Sequence, residues 1–284
     1  MWIFAQLCFL QFFKAASRNT TGAGHLIVAV QIIGALFILT LSPLLPWVWP
    51  HSSETILLWS LLAGSFVLFA ISDRLSASTR KNLDISTDSM IHQTYRLLFF
   101  PTVILVLGWS FSWSTLVGAF GIVIANMVLL FEKGAFKLNK WVLLKLLGCV
   151  FFTAACVMQI RAAADFNIAF FAFLSAVIPA IILLVSGQTT PRAVINELRR
   201  PKWWLIVLCG IAFSLEIFLF SGINGAHFIS GKYFAQANAV FAGYVLLNVV
   251  FAYLFLKERN NLVKKIIAAA VIVACLVLIA LKPF

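Results

Sequence analysis

The sequence predicts an all-α polytopic membrane protein in which ten transmembrane helices form two inverted five-helix repeats. Its 284 residues are 63% hydrophobic and 11% charged, so there is too little charge to cover a soluble fold of this size. The mean hydropathy is +1.04, and apolar runs of about 20 residues, long enough to cross the hydrocarbon core as helices, recur along the chain. Basic residues gather in alternate connections between these runs, as the positive-inside rule requires.

The apolar runs are continuous and do not alternate with polar residues, which excludes a transmembrane β-barrel. Within lipid, every backbone polar group must find a partner inside the protein, so the runs are predicted as helices. The clearest pair is a hairpin of residues 236–256 and 262–281, joined by a charged corner at 257–261. The ten predicted helices cover residues 2–17, 25–45, 54–72, 85–107, 114–131, 141–159, 166–187, 203–222, 233–256 and 262–281.

The net charge of +12 follows from the positive-inside rule and gives no reason to expect nucleic acid as a partner. The basic residues lie mainly in the connections after predicted helices one, three, five, seven and nine. This distribution predicts that those connections lie in the cytoplasm and that both termini lie outside. The residues are Lys14, Arg18, Arg74, Arg80, Lys81, Lys133, Lys137, Lys140, Lys145, Arg192, Arg199, Arg200, Lys202, Lys257, Arg259, Lys264 and Lys265, against Arg161, Lys232 and Lys282 on the opposite side.

An internal repeat divides the chain into two halves joined by a basic linker. A shift of 149 positions places Gly121 and Ala125 on Ala270 and Ala274, a small-xxx-small spacing in the last helix of each half. Because each half holds an odd number of helices, the halves would enter the membrane in opposite orientations. Inverted repeats are typical of alternating-access transporters with a substrate site near the midplane. The first half, the linker and the second half are predicted at residues 1–131, 132–140 and 141–284.

The corner at residues 257–259 (Lys-Glu-Arg) follows the apolar segment 251–256 and precedes the small-residue-rich segment 266–274. Together with a ten-helix chain of this length, built from two five-helix halves, it resembles the EamA-like family of the drug/metabolite transporter superfamily. In the first half, residues 108–110 (Gly-Trp-Ser) stand where family members commonly carry an acidic corner. The resemblance implies secondary transport of small organic solutes through a central cavity lined by helices one, three, four, six, eight and nine.

Two ionisable residues are predicted near the middle of the bilayer, where a charged side chain usually faces a cavity or a partner. Arg96 lies about eleven residues into predicted helix four, and Glu216 about thirteen residues into predicted helix eight. We interpret Arg96 as the site for an anionic group of the substrate or as the group that neutralises Glu216; a purely structural pair is the alternative. Because apolar surroundings disfavour a charged carboxylate, Glu216 is also a candidate carrier of a coupling proton.

Further polar residues accompany these two. His92, Gln93 and Tyr95 lie within about one turn of Arg96, and His92 shares its helix face at a spacing of four. Predicted helix nine carries a polar face of its own. The alternative role for these side chains is interhelical hydrogen bonding, worth about 0.6 kcal/mol per contact. The predicted substrate-binding set is Arg96, His92, Tyr95, Glu216, Gln236, Asn238, Tyr244 and Asn248.

Small and cyclic residues predict where helices approach closely or bend. Gly118 and Gly121 indicate a close helix-packing face. Packing between the two halves of one chain is favoured over a dimer seam, and both a monomer and a homodimer stay open. Pro101 and Pro179 are predicted to kink helices four and seven.

No motif points to an enzyme, a cofactor or a metal centre, because the sequence holds no paired metal-ligand spacing, nucleotide-binding glycine loop or Gly-x-Ser-x-Gly turn. The sequence predicts a secondary active transporter that moves a small polar or amphipathic metabolite across the inner cell membrane by alternating access. Two alternatives stay open: a flippase for a lipid or lipid-linked carrier, and a non-transporting membrane scaffold. The expected partners are the bilayer, the small-molecule substrate and a coupling proton.

Overall fold

A computed structural model describes residues 1–41, 55–108, 113–132, 135–136, 138–163, 168–225 and 232–281. The helices are α1 (Trp2–Ser17), α2 (Ala23–Leu41), α3 (Thr55–Asn82), α4 (Ile85–His92), α5 (Tyr95–Leu107), α6 (Trp113–Leu130), α7 (Lys140–Ala163), α8 (Ile168–Val185), α9 (Pro191–Leu198), α10 (Trp203–Gly225), α11 (Lys232–Leu256) and α12 (Leu262–Leu281). Two-residue strands, β1 (Phe131–Glu132) and β2 (Ala135–Phe136), pair antiparallel between α6 and α7. The predicted all-helical class is confirmed.

Several helices suit a lipid environment by length and composition. Four are long and apolar enough to cross a membrane: Ala23–Leu41, Ile56–Asn82, Lys140–Ile160 and Leu262–Ile279. A fifth span is counted if the bent pair Pro191–Leu198 and Trp203–Leu219 is taken as one crossing. These helices are compatible with a membrane protein.

Helix α3 is longer than the sequence predicted. It continues to Asn82, whereas the predicted helix ends at residue 72, so Asp73 and Arg80 lie on the helix and not in a loop. The prediction is wrong here because it treated charged residues as a sign of solvent. In the structure they find partners inside the protein: Gln31 donates to Asp73 over 2.8 Å, and Arg80 lies 3.8 Å from the Asp88 carboxylate.

Predicted helix four is interrupted between α4 and α5. The backbone N–H groups of Gln93 and Thr94 donate to the carbonyls of Met90 and Ile91, each over 3.0 Å. These bonds to the third preceding residue form a tight 3₁₀ turn, which in mid-helix often marks a hinge. The interruption does not lie at Pro101, which is inside α5.

Helix α9 was not predicted, because eight residues are too few and too polar to cross a bilayer. The Thr190 hydroxyl accepts from the Ala193 N–H over 3.3 Å and caps its start, followed directly by a proline. The axes of α9 and α10 are bent by 109°. The segment therefore forms a short helix in what the sequence predicted as a loop.

Helices pack in matched pairs across the two predicted halves. Helix α3 packs on α7, and α1 packs on α10; α2 packs on α10, and α8 packs on α3. Likewise, the contact of α1 with α11 corresponds to the contacts of α7 with α4 and α5. The pairs α2–α8 and α6–α12 each correspond to themselves. These particular contacts are unchanged when predicted helices one to five are exchanged, in order, with predicted helices six to ten.

The contact of α6 with α12 depends on glycine. A Cβ atom added to Gly118 would lie 2.5 Å from the Ile279 side chain and 2.8 Å from the Cys275 carbonyl oxygen. Gly121 faces the Cys275 sulfur in the same way. Both glycines are therefore covered by α12 of the same chain.

Basic side chains close the carbonyl ends of three helices. Lys14 Nζ donates to the carbonyl of Arg80 over 2.8 Å at the end of α3. Arg18 donates to the Leu256 carbonyl at the end of α11, and Lys264 to the Phe131 carbonyl just past α6, each over 3.0 Å. Cations favour the negative ends of helix dipoles. These contacts bring three helix ends to one side of the molecule.

Three lysines that were counted with the basic connections are buried in the structure. Lys14 is 8% exposed, Lys145 1% and Lys265 3%. Burial is tolerated because each ammonium group is bonded to a carbonyl or a carboxylate inside the protein. All three lie near the ends of their helices, within the predicted helix bounds.

Candidate functional site

Arg96 lies in the first turn of α5, directly after the 3₁₀ turn, and is 3% exposed. Its Nε donates to Gln93 Oε1 over 3.0 Å, and its guanidinium carbon lies 5.2 Å from the Tyr95 ring centroid. Its Nη1 atom has no hydrogen-bond partner within the part of the chain that the structure describes. A buried donor group of this charge normally has a partner, so this guanidinium has capacity for a ligand.

The predicted pair of Arg96 and Glu216 is not formed. Among the described residues, no carboxylate lies within 4.0 Å of the Arg96 guanidinium. Instead, the Glu216 carboxylate faces Gln6 of α1, which donates to it in the amide orientation that satisfies both groups. The packing explains the separation, because α5 packs on α6 and α7 while α10 packs on α1 and α2. The hypothesis that Arg96 directly neutralises Glu216 is therefore wrong.

Aromatic rings support the Arg96 side of the 3₁₀ turn. The His92 and Tyr95 ring centroids are 5.1 Å apart, and both rings pack on Phe152 of α7 at 4.8 and 5.1 Å. The Thr153 hydroxyl also donates to the Tyr95 carbonyl over 3.3 Å. The structure thus brings His92 and Tyr95 beside Arg96, as predicted, with the rings serving as a packed wall.

Asn126 of α6 completes this region and was missed by the sequence reasoning. Its Nδ2 donates to the Thr94 hydroxyl over 3.1 Å, while its Oδ1 has no partner among the described residues. Asn126 is 4% exposed. The signal that could have found it is a single amide within an otherwise apolar helix. We define the Arg96 region as Gln93, Thr94, Tyr95, Arg96 and Asn126.

Asn248 of α11 is fully buried and its hydrogen bonds run across helices. Its Oδ1 accepts from Gln11 Nε2 over 2.8 Å, and its Nδ2 donates to the Ser89 hydroxyl over 2.7 Å. A further bond reaches the Ile85 carbonyl at 3.3 Å. This residue therefore fits the alternative role of interhelical hydrogen bonding.

Tyr244, one turn before Asn248, is 4% exposed and packs edge-on against Trp2 with ring centroids 6.1 Å apart. Its hydroxyl hydrogen-bonds to Gln6, the residue that also contacts Glu216. Tyr244 and Glu216 are thus joined through one amide. The side chains of Gln236 and Asn238 lie outside the part of the chain whose side chains the structure describes.

A second group of charged residues lies among α1, α3, α4, α7 and α10; we define it as the acid cluster. Its centre is Asp88, 1% exposed, which accepts from Lys145 Nζ over 2.8 Å and from the Thr79 hydroxyl over 2.6 Å. Arg80 lies 3.8 Å from the same carboxylate, and its guanidinium stacks on two phenylalanine rings of α1. The members of the acid cluster are Asp73, Arg80, Asp88, Lys145 and Glu216.

Asp73 was missed because the sequence placed it in a loop. Its Oδ2 accepts from Gln31 Nε2 of α2 over 2.8 Å. Gln31 is fully buried, and its Oε1 has no partner within the described residues. The available signal was the spacing of Asp73, Ala77 and Arg80, which continues one helix face beyond the predicted end of the helix.

The charged corner after α11 has a structural role on the basic side. The Glu258 carboxylate accepts from the Ile85 N–H and the Ser86 hydroxyl, each over 2.8 Å, and so anchors the start of α4. Lys265 Nζ donates to Asp84 over 2.7 Å beside it. A cavity of about 410 Å³ opens at this end, lined in part by Asp84, Asn139 and Lys265. The corner therefore fixes α4, α11 and α12 together.

Neither a protein-family model nor a curated protein matches this chain. Solved structures do match. One, described as "Crystal structure of protein", shares 12% sequence identity with a TM-score of 0.60, and the alignment covers 96% of this chain and 94% of that chain. At this identity the likeness concerns the fold alone. In the described ranges, no three His, Cys, Asp or Glu side chains are grouped so that they could hold a metal ion.

Proposed function

We propose that this protein is a secondary transporter of a small organic anion in the inner cell membrane. Two inverted five-helix halves would alternate access to a site at the Arg96 region. The observation that carries the proposal is a deeply buried arginine without a carboxylate partner among the described residues, next to a 3₁₀ turn in an apolar helix. Ionisable residues inside membrane helices commonly mark solute pathways.

Ten crossings are supported by the helices beyond the longest ones. Leu116–Leu130, Ala169–Val185 and Tyr244–Leu256 are further apolar helices, each of which belongs to one of the ten predicted spans. The contacts of Lys14, Arg18 and Lys264 with the carbonyl ends of helices gather alternate helix ends on one basic face. That face fits the cytoplasmic side.

An inverted arrangement of the two halves is supported by the helix contacts. The pairs α3–α7 and α1–α10 exchange with each other when the halves are swapped, and α2–α8 and α6–α12 map onto themselves. Repeats that meet in this way place the solute site at their interface. Helices α4, α5, α7 and α11, which surround Arg96 and Asn248, belong to both halves.

The chemistry of the Arg96 region favours an anionic substrate. A guanidinium group presents donors that match a carboxylate or phosphate in pairs, and Gln93 occupies only its Nε. The Tyr95 ring beside the charge supplies an apolar surface, which suits the carbon skeleton of an amphipathic solute. The 3₁₀ turn provides a place where the helix could bend as access alternates.

A ligand-dependent thermal-shift experiment tests this proposal. Purified protein is heated with small carboxylates and organic phosphates, each paired with a neutral ester or amide analogue. We expect at least one anion to raise the Tm, because a ligand that binds only the folded state stabilises it. We expect the Arg96→Gln variant to lose this shift and the Arg192→Gln variant, changed at an exposed surface position, to keep it. A shift retained in Arg96→Gln, or equal shifts from the neutral analogues, would overturn the anion site.

Uptake into proteoliposomes supplies the functional readout. Transport predicts counterflow of the labelled anion against an excess of unlabelled anion inside the vesicle. An anion that binds through Arg96 but shows no counterflow would contradict transport and favour a non-transporting scaffold.

A further inference from the structure

The acid cluster contains more carboxyl groups than cations. Asp88 is contacted by both of the cluster's cations, by Lys145 at 2.8 Å and by Arg80 at 3.8 Å. Asp73 and Glu216 have no Lys or Arg side chain within 4.0 Å among the described residues. Three carboxyls therefore share two cations, and one carboxyl is left without a counter-charge. Burying an uncompensated charge is costly, so the cluster requires one more positive charge.

The partners of these two carboxyls are amides. Gln31 donates to Asp73, and Gln6 donates to Glu216. A neutral carboxyl and an amide can form two complementary bonds: the amide N–H donates to the acid carbonyl, and the acid O–H donates to the amide oxygen. Gln31 makes the first of these bonds, and its buried oxygen has no donor among the described residues. A proton on Asp73 would supply such a donor.

The two carboxyls also influence each other. Both carboxyls lie near Arg80: Asp73 is two turns before it on α3, and the Phe9 ring under its guanidinium packs 5.4 Å from Phe213, about one turn before Glu216. Two like charges in a site of low dielectric strongly disfavour simultaneous ionisation, and such pairs exchange their protons as a unit. A single proton shared by the pair would remove this repulsion.

The other titratable groups around the pair have partners of their own; Arg74, next to Asp73 on α3, donates to the Ser78 hydroxyl over 2.9 Å. Lys14 of α1 is bonded to carbonyls at the end of α3, and His25 of α2 contacts the Thr189 hydroxyl. His92 of α4 lies among aromatic rings and faces the Lys145, Arg80 and Arg96 cations. The thiol of Cys209 on α10 and the Tyr244 hydroxyl on α11 interact with Glu216, and α8 carries no titratable residue.

We propose that Asp73 and Glu216 bind one shared proton, and that this proton is taken up together with an anion at Arg96. Proton binding forms an O–H bond on one carboxyl, and the proton comes from water on the side of uptake. The coupling rests on the proposed transport function, whereas the proton site itself does not.

The coupling follows from the charge of the interior. An anion bound at Arg96 brings a negative charge into the interior, and a proton on the pair brings a positive one. Opposite charges attract strongly where the dielectric is low. Each ligand would therefore strengthen the binding of the other, and this effect must be reciprocal.

Infrared spectroscopy tests the proton site without any transport assay. Purified protein in lipid at neutral pH should show a buried carboxylic-acid C=O band that shifts on transfer to D₂O. We expect the band to vanish in Asp73→Asn and also in Glu216→Gln, because either change leaves the remaining carboxyls balanced by Arg80 and Lys145. Glu197→Gln, altered outside the acid cluster, should keep the band. A wild-type protein without the band, or a band that survives in both variants, would overturn the proton site.

Proton counting then tests the coupling. The count is made in weakly buffered solution with a pH dye, at a pH high enough that the anion-free protein has lost the acid band. Anion binding to the wild-type protein should then take up about one proton, and binding to Asp73→Asn should take up none. Anion binding without proton uptake at that pH, in a protein that shows the band at lower pH, would refute the coupling but not the anion site. The band without any anion binding would refute the proposed function and the coupling, while the proton site would stand.

Discussion

Gln11 of α1 donates from its Nε2 to the Oδ1 atom of Asn248 on α11 over 2.8 Å, across 237 positions of sequence. Both side chains are buried, and Asn248 Nδ2 also donates to the Ser89 hydroxyl of α4. Three helices from the two predicted halves are thereby joined through one amide. This link lies between the Arg96 region and the basic side of the molecule.

We expect Asn248→Ala to destabilise the protein by about 1–2 kcal/mol, because it leaves the Gln11 amide and the Ser89 hydroxyl without their partner. Unfolding in mixed detergent micelles measures the change. In a double-mutant cycle with Gln11→Ala, the coupling energy should be about 0.5–1.7 kcal/mol. Ser60→Ala, at an exposed serine bonded only within its own turn, is the matched control. Fully additive effects of the two changes would contradict the link.

Gly118 offers a test of the contact between α6 and α12. We expect Gly118→Ala to destabilise by about 1–3 kcal/mol, because the new methyl group would meet a backbone carbonyl that cannot move aside. The control is Gly64→Ala, whose added carbon would meet only the flexible Met158 side chain at 3.4 Å, an ordinary contact distance. Thermal unfolding of both variants measures the difference in stability. Equal stability of the two would mean that α6 and α12 are not closely packed in the membrane.

Lys145 and Asp88 form an ion pair whose two side chains are each 1% exposed. We expect Lys145→Met to destabilise by about 3–5 kcal/mol, since it leaves a buried carboxylate without its nearest cation. The double variant Lys145→Met with Asp88→Asn should recover much of this loss because it removes both charges. Chemical unfolding of the three proteins measures the recovery. A double variant less stable than Lys145→Met alone would show that Asp88 is not held by this pair.

Cysteine labelling tests the proposed number of crossings. In a background without native cysteines, Leu138→Cys and Arg192→Cys should react with an impermeant maleimide only from the cytoplasmic side. Trp113→Cys, at the opposite end of α6 from residue 138, should react only from outside. Both Leu138 and Trp113 are more than half exposed, so burial does not prevent labelling. Reaction of all three positions from one side would contradict the ten-span arrangement.

The positions of several elements could be predicted from local sequence alone. Helices α1 and α12 begin and end where the apolar runs do, because the bounds of an isolated apolar run follow from hydropathy. The prediction that Gly118 lies on a close helix-packing face also followed from its small size. By contrast, the extension of α3 could not be predicted from local sequence. Asp73 and Arg80 are tolerated within this apolar helix because Gln31 and Asp88, from other helices, lie beside them.

In the candidate site, too, some features followed from local sequence and others depended on contacts between helices. Spacing along one helix placed His92 and Tyr95 beside Arg96, since neighbours on a helix face follow from its period. The pairing of Arg96 with Glu216 failed because α5 packs mainly on α6 and α7 while α10 packs mainly on α1 and α2. Hydropathy contains no information about which helices touch. Asn126 and Asp73 were missed for the same reason, because their roles depend on which helices are in contact.

By itself the sequence determined that this chain is helical and apolar, where its main helices run, and that a few charges would be buried among them. These follow from the cost of exposing backbone and charge to lipid, which acts on each segment separately. Only the tertiary structure decided which buried charges meet. That choice depends on contacts such as Lys145 with Asp88, whose strength arises from a shared, water-poor environment that no single segment can create.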